Sequence, residues 1–301
     1  MRQTVLKLCT VGALLIFGSA QAASVGILIE KTSEMLNAPV EGFKSVMGAD
    51  ALVLDMAGDP AMGKTHCATM KSQGVKLVFA VGKDAALTAL KELPATPVVF
   101  AMVMNPGDAG LKGPNITGVS LDIPMVKQFE AFKSVVPAIK KIGLAYGDET
   151  AASLGKEMKA AGAKTGLTLV EKKIASEADV PNAIRELKGQ VDGLYLPPDR
   201  LVAQHDAFQF IALFTFENNL PFMAPASRFV KKGALVALMV DYEDIGKQAG
   251  DMAKKILAGT AVSALPVEPP RVTVLVLNQK TAQTIGINIP PSLLENSQII
   301  K

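Results

Sequence analysis

The stretch from Gly113 to Asp148, GPNITGVSLDIPMVKQFEAFKSVVPAIKKIGLAYGD, limits the fold more than any other part of the chain. Ile116 to Leu121 reads as a short strand, and Asp122-Ile123-Pro124 cannot extend it smoothly because proline brings no N–H to a ladder. Val126, Phe129, Phe132 and Val135-Val136 then recur at helical spacing. Pro137 stands near the end of that helix, and a second buried strand opens at Lys141 (KIGLAYG). The same rhythm of strand, Gly or Asp turn, helix and strand runs on either side, which predicts a crossing between two similar α/β lobes. Open parallel sheets take ligands outside the carboxyl ends of their strands, so two such lobes face to face define a cleft.

Before the crossing, strands are expected at Val25–Ile29, Ala51–Met56, Lys76–Val81 and Pro97–Val103, with helices between them. After it, strands are expected from Ile142, Thr168, Gly193, Phe222, Ala234 and Val272. Continuous apolar strands alternating with helices argue for doubly wound parallel sheets buried on both faces.

Residues 1 to about 23 read as an export leader rather than as part of either lobe. Arg2 and Lys7 are positive, and Leu8 to Ala20 is an apolar run of about the 7–15 residues of a signal-peptide core. Ala20-Gln21-Ala22 fits the cleavage site, so the mature chain is expected to begin at Ala23 in the periplasm. A spanning helix needs ~20 apolar residues, more than this run has. Cys9 lies at the head of that run, two residues after Lys7, and is a poor lipid anchor. Cleavage leaves Cys67 as the single cysteine, which excludes an intramolecular disulfide. His66, Cys67 and the distant His205 make a poor zinc site or Cys–His nucleophile. The formal charge of +3 falls to +1 without Arg2 and Lys7, and the lysine pairs are scattered. No basic block of the kind that grips nucleic acid is present.

Gly58 to Thr65 (GDPAMGKT) fits the G-x-x-x-x-G-K-[ST] phosphate loop between a strand and a helix. Asp59 and Pro60 argue against it, because a like charge and a residue without N–H would sit among donors meant for phosphate. No G-x-S-x-G elbow occurs, and neither histidine stands in an evident nucleophile–acid constellation, so an enzyme is the weaker class. Polar residues instead gather at strand ends: Glu30, Lys31, Thr32, Lys83, Asp84, Asn105, Tyr146, Asp148, Glu149, Asp199, Arg200, Ser227, Arg228, Asp241 and Tyr242. Asp84, Asp148, Asp199, Ser227 and Asp241 each precede a helix, where an N-cap is worth about 1 kcal/mol. Taken together they cluster where two lobes would meet, beside helix N-termini that offer donors to an anion.

NITGVS (115–120), Gln128 with VVPAIKKIGLAYG (135–147), ADVPNAI (178–184), DGLYLPPD (192–199), VKKGALVALMVDYEDIGKQAGDMAKKIL (230–257) and TAQTIGINIPPSLL (281–294) together resemble a known family. It is the tryptophan/tyrosine-type substrate-binding proteins of ABC transporters, with the type I periplasmic binding fold. The resemblance implies residues 23–121 with 241–264 as the first lobe and 122–240 with 265–301 as the second. Hinges are then expected near Leu121-Asp122, Val240-Asp241 and Leu265-Pro266. It further implies a monomer without cofactor or metal that passes a small solute to an inner-membrane ABC permease. A periplasmic sensing subunit docked on a receptor or kinase is the competing reading, and a phosphate-loop enzyme a distant third.

The sequence departs from the family at the expected contacts. Lys83-Asp84-Ala85 stands where Thr-Pro-Ala is common, Pro198-Asp199-Arg200 where Thr-Asp-Asn is common, and Ala226-Ser227-Arg228 where acidic residues are usual. Expected ligand contacts are Glu30, Lys31, Lys83, Asp84, Asn105, Tyr146, Asp148, Asp199, Arg200, Ser227, Arg228 and Asp241. They imply an amino-acid-like solute or small organic anion, with Lys83 or Arg200 on its anionic group and Asp199 on any amine.

Overall fold

The computed structural model describes residues 24–48 and 50–301. The leader read over residues 1–22 lies outside them. The first lobe runs β1 (Val25–Ile29), α1 (Glu34–Met47), β2 (Ala51–Asp55), α2 (Pro60–Ser72), β3 (Leu77–Val81), α3 (Lys83–Glu92), β4 (Val98–Val103) and β5 (Ile116–Ser120). The second runs α4 (Met125–Val135), β6 (Lys141–Tyr146), α5 (Asp148–Thr165), β7 (Thr168–Lys173), α6 (Val180–Leu187), β8 (Gly193–Tyr195), α7 (His205–Glu217), β9 (Phe222–Met223), α8 (Ser227–Val230) and β10 (Val236–Val240). The chain ends with α9 (Tyr242–Leu257), β11 (Thr273–Asn278), α10 (Gln279–Thr284), α11 (Pro291–Glu295) and β12 (Gln298–Ile300).

Among the described residues the strands form two sheets, ordered β2-β1-β3-β4-β5 and β12-β11-β10-β9-β8-β6-β7. The first is parallel throughout. VGILI, LVFAV and VVFAMV are buried along their whole length because helices cover both faces, which leaves no solvent side to demand alternation. On one face α1 and α9 pack, with Phe43 stacked on Phe79 at 4.1 Å between ring centroids. On the other, α2 and α3 enclose Met56, Met70 and Phe100. The second sheet is likewise covered twice, and Phe129 meets Tyr195 edge-on at 5.1 Å.

The α1–α9 contact is close enough that backbone meets backbone. A Cβ on Gly42 would lie 1.9 Å from the Glu243 carbonyl oxygen, and one on Gly246 would lie 1.9 Å from that of Pro39. Helix α9, which follows β10 of the second sheet in sequence, is thereby held on the first.

This return explains the departure from an all-parallel second sheet. β10 ends at the junction, the chain passes into the first lobe for α9, and it comes back from the same side. β11 must therefore enter the sheet pointing away from the junction, antiparallel to β10. β12, in a tail expected to hold only a closing helix, pairs parallel to β11. The third passage also lies later than the Leu265-Pro266 expected. Val119 bridges Glu268, Glu268 N–H donates to Gly118 O and Ser120 N–H to Glu268 O, so the first sheet keeps the chain through residue 268. No described helix is long and apolar enough to cross a membrane.

Candidate binding site

Strands β4 and β5 of the first lobe and β6, β8 and β10 of the second send their carboxyl ends toward the junction. A cleft of about 400 Å³ opens there between Asn105 and Ser120 on one side and Gln128, Leu154, Pro198 and Leu238 on the other. A second hollow of about 580 Å³ shares Met104, Asn105, Leu154 and Pro198 with it and extends the cleft outward along Gly147–Thr150 and Asp199–Leu201. The wall on the first lobe is shaped by a register shift between Phe100 and Val103 in the β4–β5 pair, with Met102 at φ 65°. Such a bulge turns the following side chains away from the ladder, and here Met104 and Asn105 reach the cleft.

Asn105, itself at φ 43°, donates its N–H to both carboxylate oxygens of Asp122, at 3.0 and 3.1 Å. Burial pushes the Asp122 carboxyl above the ordinary Asp value, with Glu157 and Asp108 adding to the rise and hydrogen bonds from Asn105 and Ser120 opposing it. Among the described residues no Lys, Arg or His forms an ion pair with that carboxylate. Glu157 accepts the Met125 N–H at 2.9 Å and so ties α5 to the start of α4. Gln128 donates to Ile123 O at 2.9 Å and accepts the Tyr195 hydroxyl at 2.7 Å, which fixes its amide at the floor. Burial holds the Tyr195 hydroxyl well above the usual phenol range.

Of the expected contacts, the structure brings Asn105, Asp148, Asp199 and Arg200 to the cleft. Asp148 and Arg200 are exposed there, and Asp148 lies 3.6 Å from Lys173. Asp199 is 4 % exposed and already partnered. Its Oδ2 accepts from Gly147 N–H at 2.9 Å and Thr150 Oγ1 at 2.5 Å, and its Oδ1 accepts from Leu201 N–H at 2.8 Å. That carboxylate joins the start of α5 to the loop after β8, which leaves it no free side for an amine.

The other expected contacts stand apart from the cleft. The Glu30 carboxylate accepts the Asp84 N–H at 3.0 Å, so an internal anion already occupies the N-terminus of α3. Lys31, Lys83 and Asp84 are exposed around it. Tyr146 is buried, its hydroxyl donates to Glu171, and that burial and bond hold it above the usual phenol range. Neither Ser227 nor Arg228 lines a described hollow, and Arg228 lies 4.4 Å over the Phe229 ring. Asp241 caps α9 by accepting from Asp244 N–H at 2.9 Å; α3, α5 and α8 have no side-chain cap. The phosphate-loop match is also internally closed, because the Asp59 carboxylate accepts the Ala61 N–H at 2.8 Å at the head of α2. Among the described residues no His, Cys, Asp and Glu cluster could hold a metal.

In the sequence Asp122 reads only as part of a hinge, and Glu157 carries no mark of a site residue. Pro124 marks the first as a crossing, but nothing in DETAASLGKEMKAA distinguishes Glu157 from the other charges of α5.

A family model described as ABC transporter substrate binding protein matches residues 53–301. A tyrosine-binding protein of Clostridioides difficile is 29% identical over 219 residues, 70% of this chain and 63% of that protein, so the match spans under two thirds of that relative. Among solved structures, the ligand-free, open form of a substrate binding protein with adhesive properties from Clostridium difficile is 28% identical. It aligns over 92% of this chain and 98% of its own with a TM-score of 0.78. An ABC domain from Streptococcus pneumonia in complex with L-Trp is 25% identical over 92% of this chain and 99% of its own, with a TM-score of 0.58.

Proposed function

Because the chain belongs to the ABC transporter substrate binding protein family, we propose that it captures an amino-acid-like solute between its lobes and delivers it to a membrane permease. The observation that carries this reading is the cleft itself, walled by strand ends of both lobes and bridged by the passages at Ser120–Met125, Val240–Tyr242 and Glu268–Thr273. Closure of such lobes amounts to the ligand selecting the shut state of an open–shut equilibrium. The greater likeness to the ligand-free, open relative than to the L-Trp complex, at similar identity, supports the present arrangement as the open one. Export through the leader at residues 1–22 to the periplasm belongs to the same proposal.

The cleft chemistry favours a ligand with an amino group over a simple organic anion. The ionisable side chains of the inner hollow are Asp122 and Glu157, and Arg200 stands at the outer hollow, where a carboxylate would meet it. Lys83, the other expected anion partner, lines neither hollow, and Glu30 fills the helix end beside it. The apolar lining is aliphatic and proline-rich: Met104, Leu121, Ile123, Leu154, Leu238 and Pro225. Tyrosine and tryptophan, the one bound by a relative and the other held in the complex of another, are the first ligands to offer.

Titration calorimetry of the purified protein against tyrosine, tryptophan, aliphatic amino acids and small dicarboxylates tests the reading. Binding of an amino acid that weakens at least tenfold in both Asp122→Asn and Arg200→Ala is the expected result. Heat from dicarboxylates alone, indifferent to both substitutions, would overturn it.

A further inference from the structure

Helix α7 (HDAFQFIALFTFE) is apolar on two faces. Ala207, Phe208, Ile211 and Thr215 are buried against the second sheet. Phe210, Leu213, Phe214 and Phe216 lie on the outer side, with Leu213 58% and Phe216 51% exposed. A surface helix ordinarily turns charged or polar residues to water, so this outer face calls for a reason. No residue of α7 lines the cleft.

Leu213 forms the shared wall of two surface hollows of about 500 and 290 Å³. Arg185 and Lys188 rim the first, with the Arg185 guanidinium 4.8 Å over the Phe210 ring, and Lys232 rims the second. Glu217 is the one acidic side chain lining the first hollow, and the lining of the second holds none. The face is therefore an apolar ridge flanked on both sides by cations.

That arrangement has a natural counterpart in an anionic lipid surface, where aromatic and aliphatic side chains enter the headgroup boundary while Lys and Arg meet phosphates. A second copy of the chain fits less well, since pairing this face with itself would set cation rim against cation rim. We propose that the outer face of α7 seats on an anionic bilayer, with Leu213 and Phe216 entering the boundary and Arg185, Lys188 and Lys232 on the phosphates. Seated so, the chain keeps its cleft in water and stays beside the membrane in which a permease would sit.

The test is flotation of the full chain with vesicles of phosphatidylcholine and phosphatidylglycerol, against vesicles of phosphatidylcholine alone. The parent is compared with the double variant Leu213→Ser/Phe216→Ser and with Arg185→Gln/Lys188→Gln. The apolar run at residues 8–20 is the same in all three, so differences read α7. The expected result is salt-sensitive binding to the anionic vesicles, about tenfold weaker or less in the apolar double variant and about fivefold weaker for each cation removed. All these side chains reach solvent, so unchanged circular-dichroism melts are expected and mark the variants as folded. Equal flotation of all three proteins would overturn the proposal. So would a concentration-dependent dimer in sedimentation that Leu213→Ser/Phe216→Ser abolishes, in a parent that ignores anionic vesicles; that result would assign the face to a second copy.

Discussion

Replacing Asp199 by Ala separates a ligand contact from a structural tie. Its carboxylate is 4 % exposed and receives Gly147 N–H at 2.9 Å, the Thr150 hydroxyl at 2.5 Å and Leu201 N–H at 2.8 Å. The Leu201 bond is local, two residues on, and part of it survives in water. The Gly147 and Thr150 bonds span some fifty residues of sequence and close the turn between β6 and α5 on the loop after β8. Hydrogen bonds to a charged group contribute about 1.5–3 kcal/mol each, and a buried donor left without an acceptor costs a further share. With the Thr150 hydroxyl free to rotate toward another acceptor, a loss of about 3 kcal/mol follows for the pair. At about 2–4 °C per kcal/mol for domains of this size, Asp199→Ala should melt about 6–12 °C below the parent by calorimetry. Asp199→Asn should lose nearly as much, because its NH₂ would face donors. Arg200→Ala, one residue on and exposed, should stay within about 0.5 kcal/mol of the parent. An Asp199→Ala protein that melts with the parent but has lost its ligand heat would refute the structural reading and return Asp199 to the amine of the solute.

Glycines in two helices should respond to alanine with opposite sign. Gly246→Ala drives a Cβ into the Pro39 carbonyl oxygen and should cost about 3 kcal/mol in chemical denaturation. Gly155→Ala in α5 meets nothing within 4 Å and should gain up to about 1 kcal/mol. Cys67 is buried, and burial with Glu92 nearby pushes its thiol up to about 11, so it should ignore Ellman's reagent at pH 8 until the chain is denatured. Asp122 should make stability fall with rising pH. Its carboxyl holds a proton more tightly folded than unfolded, so the contribution is present below the ordinary value of 3.8 and is lost as pH climbs through the raised one. Asp122→Asn should therefore melt above the parent at neutral pH and alongside it at pH 3, while an amine ligand should bind the parent more weakly as pH drops through the same window.

The two-lobed framework was legible because burial on both faces leaves its mark in the residues themselves. VGILI, LVFAV and VVFAMV are too apolar for a sheet with a wet side, and polar or Gly turns such as Ser33 before α1 and Gly82 before α3 mark where helices begin. The antiparallel entry of β11 left no such mark. Nothing within TVLVLN states its direction, which follows from α9 having been drawn across to the first lobe by the glycine contacts with α1. The cleft chemistry was harder still to read. Asp148 and Asp199 both follow a strand and lie in one outer hollow, yet Asp148 is open to water and Asp199 is sealed by backbone donors. GDE and PDR do not encode that difference; the packing of one loop on another does. The same holds for Asp122, whose place in the cleft depends on the Asn105 N–H, which in turn depends on the left-handed turn at Met102 where β4 loses register with β5. Strand-end residues of one type thus divide into ties and free groups according to which backbone N–H groups the turns present. A cleft of this kind is rewritten as readily by altering a bulge as by exchanging the charged side chain itself.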